Sequence, residues 1–205
     1  MENVRLRQFA KLAYGDPRDF LAALRNFEWT VAVSPTPERI KTLRTQKLKP
    51  AREMRDAAIF CVGISERIGF DVRFAPVDDQ DFDFITTWLD GDGARNYCPV
   101  QLKEVAPQHL SASATIQAVV DGLARYADSV DVTVAIKINR SVRFDPAKLK
   151  APANLRIGGL WIYTALSADQ SEFGLWGDFL SKTDAPLWTR FSYPPLEVAQ
   201  GGVQP

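Results

Sequence analysis

Apolar positions along the chain change period several times, and each change marks an element. Leu6, Phe9, Ala10 and Ala13 recur at the spacing of one helix face, and Asp16-Pro17 opens a second helical run over 18–27. Residues 29–33 form a short β-prone run, ended by the breaker Ser34-Pro35-Thr36-Pro37. From Pro50, placed as a first-turn proline, Met54, Ala57, Ala58, Cys61, Val62 and Ser65 follow at helical spacing to Ile68, and Gly69 stops the helix. Residues 70–75 alternate as a strand, Pro76-Val77-Asp78-Asp79 turns the chain, and 82–89 is a second strand rich in aromatic and β-branched residues. Asp90-Gly91-Asp92-Gly93 is a strong turn signal leading into a third strand over 97–105.

Downstream, Ser111 to Ser113 cap a helix expected to run to Asp128, with Ile116, Val119, Val120 and Leu123 on its inner face. Val130, Val132, Val134, Ile136 and Ile138 alternate as a fourth strand. A proline-containing connection over 144–155 leads to a further strand over 157–166 and an aromatic, glycine-containing stretch over 173–179; the tail after Pro194 is expected to be loose. The order over 50–138 is helix, strand, strand, strand, helix, strand. This is the pattern of an α/β protein whose helices cover the faces of a central mixed sheet, with the hairpin of strands two and three near its middle.

Composition sets limits on this picture. At 205 residues the chain suits one domain with a full core and extensions. Lys plus Arg and Asp plus Glu balance at 25 each, so the whole-molecule field does not call for a polyanionic partner, although a local basic face can hide in a neutral total. Two cysteines, Cys61 and Cys98, make no disulfide framework and are expected in the core. No cationic start followed by an apolar run is present, and no apolar stretch is long enough to span a bilayer, so a cytoplasmic protein without a membrane partner is expected.

The chemistry concentrates on the second and third strands. Strand parity puts Asp81 and Asp83 on one face, and Gln101 and Lys103 on one face. A hairpin turning about Asp92 sets Asp83 opposite Gln101 and Asp81 opposite Lys103. Phe82, Phe84 and Thr86 then alternate away from the acids, as Val100 and Leu102 do from Gln101 and Lys103, so one side of the hairpin is buried while the polar set lines a cleft. A plain cross-strand salt bridge would also account for such a cluster.

With its element order, the Asp83 … Gln101-Leu102-Lys103 pattern resembles the PD-(D/E)xK, or restriction-endonuclease-like, superfamily, whose αβββαβ core carries an acid at the start of the second strand and Glu-x-Lys or Gln-x-Lys in the third. The resemblance covers residues 50–140. Residues 1–49 would form an N-terminal helical extension with a basic segment, and 141–205 a C-terminal strand extension packed on the same domain. The resemblance implies a metal-dependent nuclease acting on nucleic acid, DNA before RNA, and a possible homodimer. It implies Mg²⁺ or Mn²⁺ held by the Asp83 carboxylate, the Gln101 amide oxygen and the Leu102 carbonyl, with Glu66 as a further acid from the first helix and Glu53 a poorer choice. Lys103 would orient the attacking water and neutralise charge on the phosphate. Glutamine at position 101 is a weaker ligand than a carboxylate. A catalytically silent member of the same fold, serving as a nucleic-acid-binding or protein-interaction module, is therefore the alternative, and an unrelated α/β protein with a chance charge cluster is the third.

The remaining features have two readings each. Arg39, Lys41, Arg44, Lys47, Lys49, Arg52 and Arg55 could grip a phosphate backbone, with Arg44, Lys47, Lys49 and Arg52 as the leading candidates, or form a solvated helix face. His109 is the single histidine, so no histidine-based zinc site or serine triad can be assembled, and a loop position is expected for it. Gln117 and Arg125 could point into the cleft or lie on the surface. Trp161, Trp176 and Trp188 could stack bases or pack in the core.

Overall fold

A computed structural model describes residues 3–32, 34, 35, 37, 46–77, 79–126, 129–181 and 188–193. Its longest helix, α3 (Lys49–Ile68), follows from the sequence pattern almost residue for residue. Pro50 stands in its first turn, and Ala57 to Val62 are buried without a break. Gly69 ends it at φ 72°, a left-handed conformation that costs glycine nothing, and its N–H bonds to the Ser65 carbonyl at 2.9 Å. The Ser65 hydroxyl then accepts the Val72 N–H at 3.1 Å, tying the helix end to the first strand.

Among the described residues, seven strands form one mixed sheet in sequential order: β1 (Arg73–Pro76), β2 (Phe84–Leu89), β3 (Arg95–Val105), β4 (Ser129–Ile138), β5 (Ile157–Ala165), β6 (Glu172–Trp176) and β7 (Trp188–Ser192). Strands β1, β2 and β3 pair antiparallel, β3, β4 and β5 parallel, and β5, β6 and β7 antiparallel. The β2–β3 register, Phe84 with Val100 through Leu89 with Arg95, turns about Asp92 as the alternation predicts. Asp90 builds that turn, accepting the Asp92, Ala94 and Asn96 N–H groups, and these bonds hold its carboxyl below the usual range, the Asn96 amide most of all.

Among the described residues, two helices cover each face. Helix α3 and α2 (Pro17–Ala32) pack on one, where Leu21, Phe60, Phe74, Phe84, Val100, Ala135 and Tyr163 share a core. The other face carries two separate clusters. Helix α1 (Asn3–Phe9) brings Phe9 against Phe82, Ile85 and Val132, and α4 (Ile116–Asp121) brings Val120 against Val105, Val134 and Ile136. Fully burying one such large apolar side chain contributes about 1.5–3 kcal/mol, so both faces of the sheet are strongly held.

Several expectations need correction. The β-prone run at 29–33 continues α2 as helix to Ala32, because Glu28 is drawn to Arg55 of α3 at 2.7 Å and the helix packs along α3. The helix expected from Ser111 to Asp128 is one-third that length. Thr115 caps it, taking the Ala118 N–H at 3.0 Å, and at Gly122 the chain tightens into a 3₁₀ segment, Gly122–Tyr126, that tucks Leu123 into the core. The β2–β3 hairpin is off-centre, since β5, β6 and β7 extend the sheet on one side and leave β4 in the middle. Phe82 lies outside β2 and joins the α1 cluster, so it does not share the Phe84 face. Cys61 is buried, whereas Cys98 is half-buried with its thiol 3.1 Å from the Thr133 hydroxyl.

Candidate active site

Strand β2 stops pairing by its backbone at Phe84, and the side chain of Asp83 takes over. The Asp83 N–H still bonds the Val100 carbonyl at 2.9 Å, while its carboxylate oxygen Oδ2 accepts the Leu102 N–H at 2.6 Å. The same Oδ2 accepts a bond from Gln101 Nε2, which also lies 3.5 Å from the Leu102 carbonyl. An acid at a fraying strand end thus satisfies a ladder donor that would otherwise lose its partner. It also gathers three groups at one point.

The surroundings explain why this point is defined. Gln101 stands beside Val134 of β4, and Lys103 beside Ile136, so both share the face of α1 and α4. Ile85 and Val132 belong to the α1 cluster, and Val105, Val134 and Ile136 to the α4 cluster. Asp83, Gln101 and Lys103 occupy the seam between the two. Gln101 is buried at 7% exposure, while Asp83 and Lys103 are half-buried. A buried amide needs its hydrogen bonds, and Asp83 supplies one.

Two hard oxygens, Asp83 Oδ2 and the Leu102 carbonyl, converge on the Gln101 amide nitrogen, where an –NH₂ group stands as a cation would. The amide oxygen could serve as a ligand only if the amide turned over and withdrew from that point. With the amide so turned, the donor set would be one carboxylate and two neutral oxygens, a charge count that would bind a hard cation weakly. Among the described residues no group of three or more His, Cys, Asp or Glu side chains comes together as a further ligand set.

The structure does not bring the other expected residues here. Glu66 is on α3, which packs on the opposite sheet face, and it pairs at the surface with Arg18 of α2 at 2.6 Å. Asp81 is exposed in the turn before β2, since the ladder that would have set it opposite Lys103 ends at Phe84. Arg39, Lys41 and Arg44 lie outside the described residues. Lys47 is exposed in a 3₁₀ turn, Lys49 is paired with Glu53 at 3.3 Å, and Arg52 is half-buried in the second turn of α3. These residues enter α3, the helix on the far face. Gln117 bonds Asp121 and the backbone of Lys150, anchoring α4 to the β4–β5 connection. His109 sits in an exposed turn.

A second polar cluster escaped the pattern. On the α3 face, Lys137 of β4 is buried against Asp56 at 2.5 Å, and the Tyr163 hydroxyl bonds the Asp56 carbonyl at 3.1 Å. Arg55 beside it holds Glu28 at 2.7 Å and Gln170 at 3.1 Å, with its guanidinium over the Tyr193 ring. Burial lowers the Lys137 pKa and Asp56 opposes that shift; at Arg55 burial also acts downward, but Glu28, Tyr193 and Asp56 together raise the pKa. The available signals were a lysine amid alternating Val and Ile, and an Asp directly before the apolar run Ala57–Val62, but neither indicated the other. This network binds α2, α3, β4 and the β5–β6 turn together.

The fold and the site define an α/β protein with a mixed sheet and a carboxylate–amide contact at a strand end, with Lys103 two residues along the same face. No protein-family model matches the chain, and neither the curated proteins nor the solved structures contain a match. Among the described residues no helix is long and apolar enough to cross a membrane.

Proposed function

We propose that the protein is a metal-dependent phosphodiesterase of nuclease type, acting on nucleic acid, DNA before RNA. The observation that carries this reading is the meeting of the Asp83 carboxylate, the Gln101 amide and the Leu102 backbone at one point, with Lys103 two residues further on the same face. The order α3, β1, β2, β3, α4, β4, with β3 parallel to β4, supports it as the αβββαβ arrangement of the PD-(D/E)xK superfamily. A Mg²⁺ or Mn²⁺ ion would be held by Asp83, the Gln101 amide oxygen and the Leu102 carbonyl; when bound it polarises a phosphoryl oxygen and acidifies water.

The chain's own groups do the rest. Asp83 is fixed by the Leu102 N–H, so its carboxylate is already placed, while the Gln101 amide must turn away to admit a cation. Lys103 brings a positive charge to the seam, where it offsets charge building on a phosphate and orients an attacking water by hydrogen bonding. The clusters under α1 and α4 wall the seam and exclude bulk water from its floor.

The Gln101 –NH₂ group, standing where a cation would, favours a second reading: a silent nuclease-like fold that binds nucleic acid or another protein. Calorimetric titration with Mg²⁺ and Mn²⁺, on wild type and Asp83→Ala, together with plasmid nicking, separates the two. Metal binding and metal-dependent nicking that both vanish in the variant support the enzyme. No heat at millimolar metal and no nicking establish the silent fold.

A further inference from the structure

The outer strands β6 and β7 carry an aromatic array that the candidate site does not use. Trp176 of β6 and Trp188 of β7 are direct cross-strand partners, with ring centroids 6.1 Å apart and planes 18° from parallel. Trp188 is 54% exposed, whereas Trp176 is half-buried and backed edge-on by Phe144 at 5.6 Å, which meets Phe179 at 6.3 Å. The inner indole is therefore fixed from behind, and the outer one extends an ordered stack into solvent. Gly174 makes this possible. A Cβ at that position would fall 2.5 Å from Cη2 of Trp176, so the bare backbone lets the indole lie flat along β6.

Register links this array to the candidate site. Trp176 pairs with Ile162, which belongs to the same apolar cluster as Val105 and Ile136 beside Lys103. The stacked tryptophans and the Asp83–Gln101–Lys103 cluster thus share one sheet face. Three strand spacings separate β3 from β6, roughly 14 Å, and the apolar cluster under α4 covers the face between them. Charge beside the rings fits a polyanion: Arg143, next to Phe144, is exposed, and Arg190 flanks Trp188 on β7 in a pair with Glu172. A second copy docking through the same rings would bring these arginines toward their own images.

We propose that Trp188, stacked on Trp176, is a base-stacking platform for single-stranded nucleic acid, holding an unpaired base at the outer edge of the sheet. Only an unpaired base offers a free π-face, and aromatic stacking takes any base, so the platform selects single strands without reading sequence. The proposal takes its partner from the nuclease reading above.

The test is anisotropy of a fluorescein-labelled oligothymidylate, and of a labelled duplex, with EDTA present so that nothing is cut. Trp188→Ala should weaken oligothymidylate binding about tenfold or more and leave the duplex unchanged, with Trp188→Phe within about threefold of wild type. Quenching of tryptophan fluorescence by unlabelled oligothymidylate should be smaller in Trp188→Ala. Equal oligothymidylate affinity in wild type and a Trp188→Ala protein of unchanged melting temperature overturns the platform. If Trp188→Ala misfolds, Trp188→Phe carries the test: loss of affinity beyond tenfold in this folded variant overturns stacking as the cause. A concentration-dependent dimer that Trp188→Ala abolishes assigns the rings to a second copy and overturns it as well. Nicking by wild type with unchanged single-strand affinity in the variant removes the platform alone; Trp188-dependent binding without nicking at any metal concentration removes the nuclease reading alone.

Discussion

Gln101 donates its side-chain N–H to the same oxygen of Asp83 that accepts the Leu102 N–H, so one carboxylate oxygen holds both an amide side chain and the strand backbone. This bond makes position 101 the control point of the site. Gln101→Glu places a second carboxylate against Asp83, and two acids sharing a site raise the pKa of one of them. Raised acid pKa values give stability that is lost as pH climbs above the ordinary carboxyl range. We therefore expect the metal-free variant to fall behind wild type in melting temperature between pH 4 and pH 8, and added Mg²⁺ to restore it. Calorimetry should show metal affinity rising by about tenfold with the added ligand charge.

Asp83→Ala tests the structural half of the same relationship. It removes the carboxylate oxygen that the Leu102 N–H and the buried Gln101 amide share, at a cost of about 1–3 kcal/mol. Asp83→Asn keeps an acceptor oxygen and should lose less. Urea denaturation of both variants checks the order; equal stability would show that the carboxylate does not hold the strand end.

The Asp56–Lys137 pair carries the largest single-site cost we expect. Asp56→Ala strands a buried ammonium and should destabilise by about 3–5 kcal/mol. The double variant Asp56→Leu/Lys137→Met removes both charges and should recover most of that loss. Chemical denaturation across the four-member cycle measures it, and additive effects would show that the pair is not coupled.

Burial sets the alkaline limit. It raises the Cys61 thiol well above 9.0 and the Tyr163 phenol well above 10.0, and pushes Tyr193 up to about 12; Cys98 and Tyr14 are raised in the same way. In each case the unfolded chain binds fewer protons than the native one once pH passes the ordinary value, so stability falls from there upward. Lys137, lowered by burial, works in the opposite sense below 10.5, but it is one group against five. We expect the melting temperature to hold to about pH 8.5 and then drop steeply by scanning calorimetry, less steeply in Cys61→Ala.

Local chemistry made part of this protein legible from its sequence. Helix α3 is written in the spacing from Met54 to Ser65 and stopped by Gly69, and the Asp83–Gln101 relationship follows from strand parity about a turn whose Asp90 bonds lie within six residues. Those signals are short-range, and a linear pattern can hold them. The rest depends on distant partners. Residues 29–32 became helix because α2 found α3, and Glu66 left the site because α3 settled on the other face and Arg18 was there to meet it. Lys137 lies 81 positions from Asp56, so no period could announce the pair. The Trp188 stack likewise needs β7 laid against β6. Alternation along a strand states that a residue has a face, but which elements cover that face, and which charge waits there, is decided only when the sheet is assembled.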